Sequence, residues 1–281
     1  MKITRVTQIV AFAGVVGAVL LVLVPPANAA MVTLIDGNSQ VDINSGSPSG
    51  MYNWQVDGTD HMYQQWFWYR VGGAGPEASI DTLYTAGTDV ITDTDGDGNM
   101  DHWFNWFTSA GQFRISVDMG LTGGTAGSGL SDVHEEIMIE NLSGSALDFH
   151  FFQYSDYDLI GTIGHDTVWS LNPNAWKQTD AGGPTFSENI ITPVPSRLEA
   201  NVYPNTLSSL TDGGPTTLDN FGGPLGPTDA TFAYQWDFTL GADGSFLISK
   251  DKSLQIPVPG AVLLGAVGLG LVGWIARRRK E

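Results

Sequence analysis

The segment Val133-His134-Glu135-Glu136-Ile137-Met138-Ile139-Glu140 is followed by Asn141-Leu142-Ser143-Gly144 and then by Ala146-Leu147-Asp148-Phe149-His150-Phe151-Phe152-Gln153-Tyr154. It reads as strand, turn and strand. Val133, Glu135, Ile137 and Ile139 share one face of the first strand, and Phe149, Phe151 and Gln153 share one face of the second, because successive strand side chains alternate in direction. A hairpin that pairs Ile139 with Phe149 and Ile137 with Phe151 sets apolar against apolar. No helical crossover separates the two runs, so the pattern favours an antiparallel sandwich over a parallel α/β sheet.

The same signature recurs outward from this segment. Short runs rich in β-branched and aromatic residues, bounded by Gly, Pro, Asn, Asp, Ser and Thr, predict strands over Met31–Ile35, Gln64–Val71, His102–Thr108, Phe113–Met119, Phe232–Leu240 and Ser245–Ser249. The Asp243-Gly244 pair predicts a second hairpin over Thr239–Phe246. Asn172 to Pro227 is rich in Pro, Gly, Asn and Thr and predicts long loops or irregular edge strands. The expected fold is all-β, an antiparallel, jelly-roll-like β-sandwich over residues 30–249. The Trp66-Phe67-Trp68-Tyr69 run puts aromatics on both strand faces, which suits a strand covered on both sides.

The chain holds no cysteine, which excludes thiol catalysis, zinc–thiolate sites and a disulfide scaffold. It is acidic, with 30 Asp+Glu against 12 Lys+Arg. Six of the basic residues are Lys2, Arg5 and the cluster 277–280, so the body carries nearly all the negative charge. Such a surface repels nucleic acid and anionic lipid and suits divalent cations.

Asp93-Thr94-Asp95-Gly96-Asp97-Gly98-Asn99-Met100-Asp101 places carboxylates at positions 1, 3, 5 and 9 with glycine at 6. That matches the first part of an EF-hand calcium loop, in which converging oxygens replace the water around a hard cation. Position 12 is Phe104 rather than a bidentate Glu, and the flanks read as strands. Calcium held by Asp93, Asp95, Asp97, Asn99 and Asp101 is the expectation; the alternative is an acidic turn. Asp156 and Asp158 form a second acidic pair, roughly 7 Å apart at Cα on one side of an extended segment. They are candidates for a metal site or a glycosidase acid and nucleophile, with Glu135 in the same cleft, or else a hydrogen-bonded loop end. Adjacent Glu135 and Glu136 face opposite ways and cannot work together. No Gly-x-Ser-x-Gly elbow, zinc-protease helix motif or phosphate-binding loop is present.

The ends carry sorting information. Lys2 and Arg5 precede an apolar run from Ile9 to Val24, then Pro25-Pro26-Ala27-Asn28-Ala29. This is a secretory signal peptide over 1–29, cleaved by signal peptidase after Ala29 to leave Ala30 first. At the other end stand a linker and Pro-rich motif over 250–259, an apolar span over 260–276 and Arg277-Arg278-Arg279-Lys280-Glu281. As a helix the span is roughly 26 Å long, at the short limit for a bilayer, and the basic cluster would stay in the cytoplasm. This tail resembles the PEP-CTERM sorting signal of Gram-negative bacteria that typically make exopolysaccharide, with Pro257-Val258-Pro259-Gly260 in place of the usual Pro-Glu-Pro. The resemblance implies handling by an exosortase-like enzyme, transient anchoring in the inner membrane, and a destination at the cell surface or in the extracellular matrix. It covers about a tenth of the chain. The expected role is structural or adhesive, tied to exopolysaccharide or biofilm, and not enzymatic. Alternatives are a carbohydrate-binding module, favoured by an exposed row of coplanar Trp rings, or a secreted glycan hydrolase or lyase.

Overall fold

The computed structural model describes residues 31–257 apart from residue 86. The predicted signal and membrane helices, and with them Ala27, Ala29, Ala30, Val258, Pro259, Gly260, Arg277, Arg278 and Arg279, lie outside the described residues. Among those described, no helix is long and apolar enough to cross a membrane.

In chain order the strands begin with β1 (Met31–Asp36), β2 (Ser39–Asn44), β3 (Gly50–Val56), β4 (Thr59–Asp60), β5 (Gln64–Val71) and β6 (Ala78–Ser79). Next come β7 (Val90–Thr92), β8 (His102–Ser109), β9 (Phe113–Gly123), β10 (Leu130–Asn141), β11 (Leu147–Asp156) and β12 (Asp166–Asn172). The last six are β13 (Ala175–Asp180), β14 (Thr185–Thr192), β15 (Arg197–Val202), β16 (Leu225–Thr228), β17 (Ala230–Leu240) and β18 (Ser245–Gln255). A short helix, α1 (Asn205–Thr211), and two 3-10 turns complete the described elements, so helix is not confined to the termini as expected.

Two sheets face each other. One runs β1-β2-β3-β5-β11-β17-β15, with β4 on β3 and β6 on β5; the other runs β16-β12-β13-β14-β18-β10-β9-β8-β7. Pairing is antiparallel except for a short parallel contact of Gly50 and Met51 with Gln65. The all-β sandwich is as expected. With nine strands in each sheet it exceeds the eight of a jelly roll, so that part of the expectation is not retained.

All the strands expected from sequence are present, but neither expected hairpin is a hairpin. β10 pairs with β9 and β18, while β11 pairs with β5 and β17 in the opposite sheet. The reason lies in the side-chain pattern. β10 alternates buried with half-buried positions, whereas β11 is buried on both faces over Phe151–Asp156. A strand covered on both faces belongs beside its like, and β5, with its aromatic run, and β17 match it. The Thr239–Phe246 turn likewise passes from one sheet to the other. Asn141 clamps both crossings: its Nδ2 donates to the carbonyls of Ser145 (2.8 Å), Leu240 (3.1 Å) and Gly241 (2.8 Å).

Two further expectations need correction. Asn172 to Pro227, expected as long loops or irregular edge strands, does hold the edge strands β15 and β16, but also β13 and β14, interior strands whose inward residues include Trp176, Gln178, Phe186 and Glu188. Lys250–Gln255, expected as linker, is the second half of central strand β18, and Lys250 and Lys252 are fully buried.

Aromatic residues fill the space between the sheets. Phe67 stacks on Phe151 (5.5 Å between centroids), Tyr69 meets Phe113 edge-on (5.2 Å), and Trp176 packs on Phe232 (5.2 Å). Gly50 is obligatory where β3 passes β5: its φ is +54°, and a Cβ there would stand 2.1 Å from the Trp66 ring. Six tryptophans, 54, 66, 68, 103, 176 and 236, are buried, so the described residues present no exposed row of Trp rings.

Candidate functional site

β11 ends at Asp156, β17 begins just after Asp229, and β5 begins just after Tyr63. Adjacent pairing therefore brings these three chain positions to one end of the sheet. Tyr63 N–H donates to the carbonyl of Asp156 (3.0 Å), and Tyr203 N–H, just after β15, donates to that of Asp229 (3.0 Å). The two tyrosine rings meet edge-on, 5.8 Å apart. Carboxylate oxygens of Asp156, Asp158 and Asp229 lie within 4.8 Å of one another. With Ile163 and the two tyrosines they line a cavity of about 150 Å³. Tyr63, Asp158 and Ile163 are shared with an adjoining groove of about 830 Å³, which extends past Gln64, Asp60, Met62 and Tyr52. Among the described residues, no Lys or Arg lines either space.

Without a cation, the carboxyls are driven toward their neutral form. Burial, then the Asp158 and Asp229 charges, raises Asp156 to about 8, against a Tyr154 hydroxyl that donates to it (3.1 Å). Burial, then Asp229 and Asp60, raises Asp158 to about 6. Burial also raises Asp229, and raises Asp60 although the Trp54 and Met62 N–H groups donate to it. Asp166, on β12 nearby, rises to about 8 for the same first reason, helped by Asp180 and Asp158. Burial and mutual repulsion thus lift both carboxyls toward neutral pH, Asp156 further than Asp158. One proton donor and one acceptor on the same wall can perform general acid–base chemistry.

The sequence singled out Asp156 and Asp158 but not Asp229, Tyr63 or Tyr203, which reach the site only through strand order. Glu135, expected in the same cleft, is elsewhere. It is buried between the sheets, where Lys250 and Lys252 hold it low, at about 2, against the cost of burial. Glu136 faces the other way and is partly exposed, as alternation requires.

The Asp93–Asp101 loop joins β7 to β8, so its strand flanks are as read. Part of its carboxylate set is occupied by backbone. Asp93 accepts from the Gly96 and Gly98 N–H groups (2.6 and 2.9 Å), and the buried Asp101 accepts from Thr94 N–H and Oγ1 (2.9 and 2.8 Å). Asn99 Nδ2 donates to Asp97 (2.9 Å). Asp95 and Asp97 meet Asp36 of β1, which the loop motif does not contain, and Asp95 also meets Asp93 and Asp101.

No family model matches the chain, and no characterised protein sequence matches it. Solved structures do. A bacterial glucoamylase complexed with acarbose superposes with a TM-score of 0.53 at 10% identity, covering 85% of this chain and 34% of that one. A galactose mutarotase related enzyme from Lactobacillus acidophilus gives 0.50 at 8% identity, covering 81% and 98%. The chain spans about a third of the glucoamylase, and at these identities the likeness is one of fold. It corrects one expectation from sequence. A body without recognisable catalytic motifs was expected not to be an enzyme, yet its sandwich has the same fold as enzymes that act on sugars. The chain shares its sandwich fold with these proteins and carries a carboxylate-lined, tyrosine-flanked pocket at one end of a sheet.

Proposed function

We propose that this is an exported, carbohydrate-active protein that binds a glycan in the groove beside Tyr63 and performs acid–base chemistry on it with Asp156 and Asp158. The observation that carries the reading is the convergence of three carboxyls against two tyrosine rings, with burial and mutual repulsion raising Asp156 further than Asp158. Asp156 serves as proton donor, Asp158 as acceptor, and Asp229 sets the field that separates them. The tyrosine faces offer apolar surface to a sugar ring, and the surrounding carboxylates and Gln64 accept or donate to its hydroxyls. The substrate class fits the sorting tail, whose resemblance implies exopolysaccharide-producing cells. On this reading signal peptidase and an exosortase-like enzyme deliver the body to the surface or matrix.

The test is saturation-transfer NMR of the purified protein with neutral oligosaccharides, followed by a turnover screen across pH 5–9. Binding weakened in Tyr63→Ala, and turnover lost in Asp156→Asn with binding retained, support the reading. Glycan binding that neither substitution affects overturns it. A second reading rests on the same trio: three carboxylates without a basic neighbour form a hard-cation site, so the screen is run with calcium and with chelator. The Asp93–Asp101 loop is likewise proposed as a separate, weaker calcium site, completed by Asp36.

A further inference from the structure

Between the sheets lies a second polar cluster that takes no part in the pocket. Lys250 and Lys252, two residues apart on β18, point inward with Glu135 of β10 and Glu188 of β14. From the opposite sheet come Gln65 of β5 and Gln153 of β11. All six side chains belong to residues with no solvent exposure. The contacts form the same triad twice. Lys252 Nζ donates to Gln65 Oε1, Gln65 Nε2 donates to Glu135 Oε1 (3.2 Å), and Glu135 Oε2 is 3.1 Å from Lys252 Nζ. Lys250 Nζ donates to Gln153 Oε1, Gln153 Nε2 donates to Glu188 Oε1 (2.9 Å), and that same oxygen is 3.3 Å from Lys250 Nζ. Lys250 also pairs with Glu135.

In each triad an amine touches the carbonyl end of a carboxamide, while one carboxylate bridges the amine and the amide nitrogen. We propose that each triad forms a Lys–Gln isopeptide bond autocatalytically, Lys252 with Gln65 and Lys250 with Gln153, covalently joining the two sheets.

The chemistry balances without a co-reactant. The ammonium first gives a proton to the carboxylate, leaving neutral Lys Nζ and a carboxylic acid. Nζ attacks Gln Cδ and forms a tetrahedral centre. The glutamic acid protonates the departing amide nitrogen and takes back the proton now on Nζ. The Cδ–Nε2 bond breaks, ammonia leaves, and an Nζ–Cδ amide remains beside a neutral glutamic acid. Four buried charges thereby become none, the direction that a water-free interior favours. Burial, opposed by Glu135, already lowers Lys252 to about 8, which makes the neutral nucleophile accessible. Exclusion of water also protects each intermediate from hydrolysis. The donors lie 187 and 97 residues from their acceptors, so each bond would close a long loop, as a disulfide would in a chain that had cysteine.

Intact mass measured under denaturing conditions on protein purified from producing cells tests this directly. The expected mass is short by one ammonia for each bond, with tandem spectra showing Gln65 joined to Lys252 and Gln153 joined to Lys250. Lys252→Met restores the mass of one ammonia and removes only the first joined peptide. Glu135→Gln keeps side-chain volume and stops the reaction at Lys252. If either variant fails to fold, the parent decides alone. A parent with its full calculated mass overturns the proposal, and ammonia loss that maps elsewhere overturns it equally. A joined peptide at one pair only overturns the assignment of the other.

Discussion

The molecule buries two sets of carboxylates, and they behave in opposite ways. Glu135 and Glu188, between the sheets, face two lysines, and Glu135 is held at about 2. Asp156, Asp158 and Asp229, at the sheet end, face one another and tyrosines, with no lysine or arginine among the described lining residues, and burial raises Asp156 to about 8. Burial is severe for both Glu135 and Asp156, so burial does not decide the sign. Partner charge does: before any cross-link forms the balanced set is ionised, whereas an unbalanced set keeps protons it can exchange.

The comparison can be broken most severely from the inside. In protein not yet cross-linked, Glu135→Ala leaves two buried lysines with one carboxylate and removes the partner of Gln65. A loss of about 3–5 kcal/mol is expected, measured by chemical denaturation. A drop below 1 kcal/mol would mean that water reaches the cluster.

The outer set gives the next largest effect, of opposite sign. Asp156 has its pKa raised on folding, from 3.8 to about 8. The folded state therefore holds more protons than the unfolded state across that window, and stability falls as pH rises through it. Asp156→Asn should flatten this slope and raise the unfolding free energy at pH 8 by up to several kcal/mol, given about 1.4 kcal/mol per pKa unit. The inner set slopes the other way. In protein not yet cross-linked, Glu135 is lowered on folding from 4.5 to about 2, so its contribution is present above 4.5 and disappears as pH falls to 2. A denaturation series from pH 2 to 9 should show both limbs. An unchanged slope in Asp156→Asn would remove the outer limb from this account.

Smaller effects sharpen the contrast. Tyr63→Ala should weaken glycan binding by about 0.5–1.5 kcal/mol, roughly two- to tenfold, in the NMR titration, without altering the acid limb. The Asp93–Asp101 loop has carboxylates as unbalanced as the outer set, but Asp95 and Asp97 are exposed. At a calcium concentration equal to Kd it should add only about 0.4 kcal/mol. Asp95→Ala with Asp97→Ala should abolish the calcium-dependent rise in Tm, and an unchanged rise would place the ion elsewhere.

How far these features could be read from sequence follows from what each depends on. Strand positions depend on local alternation, and Gln64–Val71 and Phe113–Met119 stand where they were read. Turn residues report that the chain reverses, not which sheet it rejoins, so Asn141–Gly144 and Asp243–Gly244 read as hairpin turns in the sequence although each joins the two sheets. The cue lay in Phe151-Phe152, consecutive apolar residues that mark a strand covered on both sides. Lys250–Gln255 looked like a linker because its lysines are polar. Their burial is possible only because Glu135 and Glu188 arrive from distant strands. The pocket was half visible: Asp156 and Asp158 are local, whereas Asp229 and Tyr63 join them through the order β5-β11-β17.

The position of β18 also sets how the molecule carries force. Its eleven residues, roughly 36 Å long, are paired on both sides by β10 and β14, and the chain leaves it at Gln255 toward the tail. Tension applied beyond Gln255 therefore enters along the axis of an interior strand. Hydrogen bonds on both flanks are loaded together in shear rather than opened one by one. Met31, where the described chain begins, lies on the edge strand of the opposite sheet. A pull between the two ends must cross the sandwich, and the side chains that span that crossing include Lys250 and Lys252. A body tethered by its C-terminus on a surface under flow would bear the drag on its best-held strand.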